Sequence, residues 1–349
     1  MSWSITYPRV LPERRPPGHE PRAPRWTLVL DAPTSLLTAD YLAVQLPRRD
    51  DPAEEEFLAL ARASADGPES TELLVATGPE GTVELIHLAY FTDPTAHERW
   101  LHDAPLPTWF DRLDAATATV GAWHEVLQVH PDRFETIYSD PRWTFGFGRC
   151  AGTEREPMTT NGYFGAARDR FPASAIDPLE AVGKQVRRTD VDSHGRRLRV
   201  ESSHDTAVIR SGQFWEPAEG EQLVDYEHNL QSKLLTGMDH LREHPSDTGT
   251  LSLRILTSLD PASLAPRRET SVLGYFHSLG ELEEWAASHH THLAIYEHAI
   301  EAKRHWGDAR SVVTWHEVVV LPRSARFEYV NCVPTTGLLP FAPTLLTVS

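Results

Sequence analysis

The stretches Trp123-His124-Glu125-Val126 and Trp315-His316-Glu317-Val318 carry one motif twice, 192 residues apart (315 − 123). Working outward, Tyr90-Phe91 and Trp100 lead into the first stretch as Tyr275-Phe276 and Trp285 lead into the second, at an offset of 185 (275 − 90). Phe134-Glu135 and Phe327-Glu328 follow, while Pro52-Ala53-Glu54 and Pro217-Ala218-Glu219 stand upstream. The landmarks keep their order, so the chain reads as a duplication with a longer connection in its second copy. Each copy has the pattern strand, helix, strand, strand, helix, strand. In the second, segments 207–214, 251–259, 269–277 and 311–321 alternate or are rich in β-branched residues, the mark of strands. Segment 219–244 sets Leu223, Tyr226, Leu230, Leu234 and Leu241 at helical spacing, and Ser278-x-x-Glu281 is a capping box opening the next helix. In the first copy Asp93-Pro94 supplies an N-cap followed by proline at its preferred position. Two such βαββαβ units predict two antiparallel sheets with helices outside, packed as one α+β barrel or sandwich. The expected divisions are a proline-rich extended arm over 1–38, a first copy over 39–140, a connection over 141–206 with one extra strand at 162–171, a second copy over 207–332 and a tail over 333–349.

Composition removes several classes of partner. The 349 residues hold 50 Asp and Glu against 33 Lys and Arg, and the formal charge of −17 opposes nucleic acid and anionic lipid. Cys150 and Cys332 stand far apart with no C-x-x-C companion, which predicts reduced, buried thiols and no disulfide framework or zinc knuckle. Prolines occupy the opening stretch where a signal peptide needs apolar residues, and no later segment is apolar enough to span a bilayer, so a cytoplasmic protein is expected. The same prolines predict an arm lying extended over the body, free to reach a partner subunit.

Motifs of familiar chemistries fail on context. His97-Glu98 is followed by His102, one residue too late for the H-E-x-x-H zinc helix, and Gln128 stands where His124-Glu125 would need its second histidine. Gly146-x-Gly148-x-x-Ala151 runs into Thr153-Glu154-Arg155-Glu156-Pro157, not into the apolar helix a dinucleotide fingerprint requires. No phosphate-binding G-x-x-x-x-G-K-[ST] loop and no G-x-S-x-G elbow occurs.

Histidine placement remains. The helix after Ser278 carries Leu282, Trp285, His289, His292, Tyr296 and Ala299 along one apolar stripe, so two imidazoles fall where core is expected. They are either satisfied core histidines or groups that serve a ligand. Alternation sends His316 and Val318 to one strand face and Trp315 and Glu317 to the other. His124 has the same periodicity, but Pro107 occupies the position equivalent to His292, so the first copy lacks a helix histidine. Ser211 ends a strand, with Leu46 as its counterpart in the Pro-Ala-Glu alignment. Arg170, within Arg168-Asp169-Arg170-Phe171-Pro172, is ordinarily a solvated charge. Glu135 alternates into an apolar strand and, if buried, needs a cationic or histidine partner.

Together, Gly162-Tyr163-Phe164-Gly165, Arg168-Asp169-Arg170-Phe171-Pro172, Ile209-Arg210-Ser211-Gly212-Gln213, His289-His290-Thr291-His292-Leu293, Trp315-His316-Glu317-Val318 and Phe327-Glu328-Tyr329-Val330-Asn331-Cys332 resemble, in order, the motifs of the haem-containing aldoxime dehydratases. The resemblance runs from about Tyr41 onward. It implies a duplicated ferredoxin-like, dimeric α+β barrel type of fold, a homodimer, and one b-type haem per subunit with ferrous iron in the active state. It also implies dehydration of an aldoxime, R–CH=N–OH, to a nitrile. By motif it assigns His292 as proximal haem ligand, His316 as distal acid–base, Ser211 and Arg170 as partners of the oxime hydroxyl, and Glu135 as support for the distal network. An imidazole with a pKa of about 6.5 can serve as acid and then as base near neutrality. His290 departs from the proline of relatives, and the stretch from His292 to His316 is slightly longer, which keeps His289 as an alternative ligand. Aliphatic and arylalkyl substrates both remain open. Competing readings are a haem peroxidase or chlorite-decomposing enzyme, a haem-binding sensor or carrier without turnover, and a haem-free stress-response barrel.

Overall fold

The computed structural model describes residues 3–181, 187–322, 325–341 and 345–347. Small parts of the expected arm, connection, second copy and tail lie outside these. The strands are β1 (Arg25–Leu30), β2 (Leu37–Leu46), β3 (Ser70–Thr77), β4 (Val83–Phe91), β5 (Gly121–Val129), β6 (Phe134–Tyr138), β7 (Thr153–Met158), β8 (Arg197–Glu201), β9 (Ala207–Phe214), β10 (Thr250–Leu259), β11 (Pro266–Phe276), β12 (Val313–Val320), β13 (Arg326–Val330) and β14 (Leu345–Thr347). The helices are α1 (Pro52–Ala63), α2 (Pro94–Asp103), α3 (Pro105–Arg112), α4 (Ala166–Arg170), α5 (Gly220–Asp225), α6 (Gln231–Glu243), α7 (Pro245–Thr248), α8 (Leu279–Ser288) and α9 (His290–Trp306). A π turn over Tyr226–Leu230 joins α5 to α6, so the apolar spacing of 219–244 gives one nearly continuous helix.

The strands make one antiparallel sheet, where two were expected, in the order β14-β8-β13-β5-β2-β4-β3-β10-β11-β9-β12-β6-β1-β7. The two halves fuse because β3 pairs with β10, with Val75 opposite Thr257 and Leu73 opposite Leu259. From that seam the order is β3-β4-β2-β5 on one side and β10-β11-β9-β12 on the other. The next strand out is exchanged. β6 follows β5 in the chain but pairs with β12, placing Glu135 opposite Val318, while β13 follows β12 but pairs with β5, placing Phe327 opposite Glu125. By register Glu328 lies against His124 where Ile137 lies against His316, so the structural counterparts are Tyr138 and Tyr329, and the sequence pairing of Glu135 with Glu328 is displaced.

The sheet curls far enough for the halves to bond each other through its interior. Tyr90 donates to Glu317 at 2.6 Å and Tyr275 donates to Glu125 at 2.7 Å, so each Tyr-Phe landmark meets the carboxylate of the other copy's Trp-His-Glu-Val. Arg254 donates to both Glu125 oxygens at 2.9 Å and to Glu84 at 2.9 Å, and Arg210 donates to Glu72 at 2.9 and 2.8 Å. All these groups are buried; Arg210 and Arg254 meet glutamates, while Glu317, pushed up by burial, is held by the Tyr90 hydroxyl and the Phe147 N–H. Gly146 and Gly337 close the two networks with φ +53° each; a Cβ on Gly146 would stand 2.1 Å from a Glu317 oxygen. Gly146, met first in a failed dinucleotide motif, is thus the turn that lets the backbone over Glu317.

Two expectations are corrected locally. Segment 162–171 is not a strand: Gly162 and Gly165 adopt φ +82° and +93°, which breaks an extended run, and the short α4 follows. The connection instead carries two strands, β7 against β1 and β8 against β13. The helix after Ser278 is not continuous either. His289 has ψ 129° and its ring accepts from Thr291 N, ending α8 and capping α9. Ser278 does cap α8 as read.

Substituting Gly146→Ala and Gly220→Ala separates backbone strain from collision, since both glycines have φ +53° and nothing lies within 4 Å of a Cβ on Gly220. Urea unfolding should show Gly220→Ala costing about 1–2 kcal/mol and Gly146→Ala clearly more. Equal costs would mean that Glu317 is not held under the turn.

Candidate active site

Ladder register builds the site. His316 on β12 lies directly opposite Ser211 on β9 and Ile137 on β6, and Glu135 enters the same face two residues on. The alternation read from sequence holds: Glu317 turns inward to Tyr90, and His316 turns outward. Arg170 reaches this face from the C-terminal end of α4. Its Nε donates to Glu135 Oε2 at 2.5 Å, its Nη1 to the Thr160 carbonyl at 3.0 Å, and its Nη2 to His316 Nε2 at 3.1 Å. The second Glu135 oxygen, Oε1, lies 3.1 Å from the same Nε2 without the alignment of a hydrogen bond. The Glu135 side chain is fully enclosed and that of Arg170 is 7% exposed. Burial pushes the Glu135 carboxyl up, but Arg170 and His316 outweigh it and hold the pKa below the ordinary carboxylate value. Ser211 is half-buried beside them and makes no side-chain hydrogen bond among the described residues.

The proline-rich segment braces α4 from outside. Backbone Arg14 N donates to Asp169, Tyr163 OH donates to Asp169 at 2.7 Å, and His19 bonds the Asn161 carbonyl at 2.8 Å. Arg168 is pinned separately by Glu283 on α8, at 2.9 Å. Arg170 is thereby held from both sides and is not the solvated charge its sequence suggests.

His292 sits in the first turn of α9, with the Trp285 ring edge-on at 4.9 Å. Its Nδ1 is enclosed and has no hydrogen-bond partner. Burial lowers its pKa, the Ala286 carbonyl opposes, and His316 is near enough for its charge to add to the lowering. His289 is spent as a helix cap, with Nδ1 2.8 Å from the Thr291 hydroxyl and its ring stacked on His240 at 3.8 Å. Of the two stripe histidines, His292 is therefore the one with an unengaged nitrogen in an apolar wall, which includes Ile209, Leu282, Trp285 and Val318.

The first copy shows the same position closed. His124 pairs with Leu42 on β2 as His316 pairs with Ser211, so Leu42, not Leu46, is the counterpart of Ser211. Asp40, whose counterpart is Ile209, accepts from His124 at 2.7 Å and from His97 at 2.8 Å. Phe110 of α3 covers the His124 ring edge-on at 5.4 Å. Asp40 with its two histidines and a phenyl ring thus occupy the face where the second half carries Ile209 and Ser211.

Among the described residues no group of three or more His, Cys, Asp or Glu is arranged to hold a bare metal ion. A lone neutral imidazole in an apolar wall, near a second histidine with a carboxylate and a guanidinium, instead suits a planar metal macrocycle that brings its own equatorial ligands. The site defines a haem protein. The family model for haem-containing dehydratases matches residues 41–338, and the chain belongs to that family. It is 31% identical over 339 residues to an aliphatic aldoxime dehydratase of Pseudomonas chlororaphis, covering 95% of each chain. It is 30% identical over 335 residues to a phenylacetaldoxime dehydratase of a Bacillus species, covering 93% of each. The structure superposes with TM-score 0.85 on a crystal structure of an aldoxime dehydratase, 31% identical and covering 97% of this chain and 96% of the other. An aldoxime dehydratase in complex with butyraldoxime also matches with TM-score 0.85 at 29% identity, covering 97% and 94%.

The closed site has a pH signature. Burial pushes His124 down, but Asp40 outweighs it and raises its pKa; Asp40 itself is pushed up by burial and held low by His124 and His97. The His124 contribution to stability is full below its unfolded value of about 6.5 and lost as pH rises through the raised folded value, while that of Asp40 is present above about 3.9 and lost as pH falls through the depressed folded value. Asp40→Asn should cost about 3 kcal/mol by urea unfolding at about pH 5.5 and less at about pH 9.5. A cost independent of pH would show that the triad is not ionic.

Proposed function

We propose that this chain dehydrates aldoximes to nitriles, with haem b held by His292 and with His316 as the proton carrier. The observation that carries the reading is the convergence of Glu135, Arg170 and Ser211 on His316, in a chain whose relatives of near-equal length are aldoxime dehydratases. The residues fit the cofactor: burial and the apolar Trp285 beside it favour the neutral His292 ring that can ligate a haem iron, and the backbone of Ala286 is near enough to steady the imidazole. When bound, ferrous haem supplies an electron-rich metal to hold the oxime nitrogen.

The remaining work falls to the protein. N–O cleavage needs a proton on the departing oxygen, and nitrile formation then needs a base for the carbon-bound hydrogen. His316 Nε2 is placed for both states. Protonated, it lies 3.1 Å from Glu135 Oε1, whose charge stabilises the imidazolium; neutral, it is an acceptor for Arg170 Nη2 at 3.1 Å, which stabilises the imidazole. The oxime hydroxyl takes the proton from Nε2 and leaves as water, and Nε2 recovers a proton from carbon, so the balance is R–CH=N–OH to R–C≡N plus water. Ser211, unbonded and cross-strand from His316, would donate to the oxime oxygen and fix its direction.

Strand orders of β5-β2-β4-β3 and β12-β9-β11-β10 support reading each half as a ferredoxin-like unit, with 39–140 and 207–332 as the two copies. A homodimer and a cytoplasmic location go with this reading; no described helix is long and apolar enough to cross a membrane. The arginine beside a distal histidine also suits peroxide cleavage, so peroxide consumption is the control assay.

His292→Ala should lose the Soret band after expression with haem supply, whereas His316→Ala should keep it and lose nitrile formation by about 10²-fold or more; turnover retained in His316→Ala contradicts the mechanism. Dithionite should switch activity on, and equal activity of ferric protein would count against nitrogen coordination. Ser211→Ala should lower turnover more than haem content, and the reverse pattern would make Ser211 structural.

A further inference from the structure

Arg310, in the connection between α9 and β12, keeps its guanidinium Nε and Nη2 enclosed with no hydrogen-bond partner among the described residues. Burial lowers its pKa to about 10, with repulsion from Arg25 adding and Asp225 opposing. Arg25 opens β1 and is half-buried, and among the described residues its side chain bonds only the adjoining Pro24 carbonyl, at 2.8 Å. Burial lowers this guanidinium as well, and the opposing influence is the Tyr296 hydroxyl. Tyr296 stands one helical turn beyond His292 on α9, so the two side chains share a helix face, and because Trp26 and Trp315 both lie opposite Tyr138, Arg25 and Arg310 approach the same end of their strands.

Two neighbouring guanidiniums without a carboxylate are anomalous in a chain with 50 acidic and 33 basic residues. The buried Arg168, Arg170, Arg210 and Arg254 each meet a glutamate. Asp225, the acid nearest Arg310 in influence, is engaged with His298 at 2.9 Å. Enclosed like charges cost free energy unless an anion joins them. We propose that Arg25 and Arg310 bind the two propionate carboxylates of the haem whose iron His292 takes. This deepens the reading above and rests on it. Two guanidiniums balance two carboxylates, and the planar guanidinium fork suits a carboxylate geometrically. The anion site also gives β1 a function: it carries Arg25 to the end of α9, and the cofactor then ties the N-terminal strand to the connection entering β12.

The test titrates apoprotein with haem and with haem dimethyl ester, whose propionates are masked. Wild type should bind haem roughly 10-fold or more tightly than the ester, as expected for charge-assisted hydrogen bonds. R25Q and R310Q should each shrink that ratio while keeping ester binding and the histidine-ligated Soret spectrum; R310K should keep most of it. Thermal unfolding of the R310Q apoprotein should be no lower than wild type, because an unpaired enclosed charge is removed, whereas an arginine with a purely structural role would lower it. Equal wild-type affinity for haem and ester, or a ratio unchanged in both glutamine variants, overturns the proposal and leaves the haem reading standing. Wild type that binds neither porphyrin overturns both.

Discussion

An ionised carboxylate shut away from water must have a cation beside it, and Glu135 satisfies that condition only because its strand leaves the half of the chain in which it begins. β6 follows β5 yet pairs with β12, and this exchange sets Glu135 on the face where Arg170 and His316 meet it. The distal site therefore depends on both halves. Its histidine, His316, comes from the second half, its carboxylate from the strand after β5, and its guanidinium from the connection. The interior obeys the same rule at Glu125 and Glu72, which take Arg254 and Arg210 from the other half, and Tyr90 on Glu317 and Tyr275 on Glu125 add neutral hydrogen bonds between the halves. Neither half can satisfy its buried acids alone.

The two halves run their strands in corresponding order, and they differ at the faces of His124 and His316. Where the first copy has Asp40, His97 and Leu42 at the face of His124, the second has Ile209, Leu282 and Ser211 at the face of His316. Replacing an acid and a histidine by aliphatic side chains removes the ion triad and leaves an apolar wall. The same difference leaves His316 bonded to Arg170 and not to an acid on β9. Pro107 in the short α3 and His292 in the long α9 complete the contrast.

Much of this was legible in the residues. The alternation around His316 and the need of a buried Glu135 for a cation or histidine both follow from period and charge, and the structure places the partners accordingly. The stripe through His289 and His292 was legible as a pattern but not as geometry, because a helix break at His289 costs nothing in apolar periodicity and shows only in the cap. The strand expected at 162–171 failed because the aromatic residues Tyr163, Phe164 and Phe171 outweighed two glycines whose left-handed φ decides the backbone. Strand exchange was invisible, since a landmark pair reads the same whichever neighbour its strand takes, and this misaligned Glu135 with Glu328. The cations at Arg25 and Arg310 carry no local signal at all; only three-dimensional packing shows that no acid reaches them.

The central claim is that one copy alone carries a haem site. Spectrophotometric titration of the apoprotein with haem tests it most directly. The account predicts an end-point at one haem per chain with the absorption spectrum of an axial imidazole. An end-point at two haems per chain, or a bound haem without an axial histidine, would contradict it.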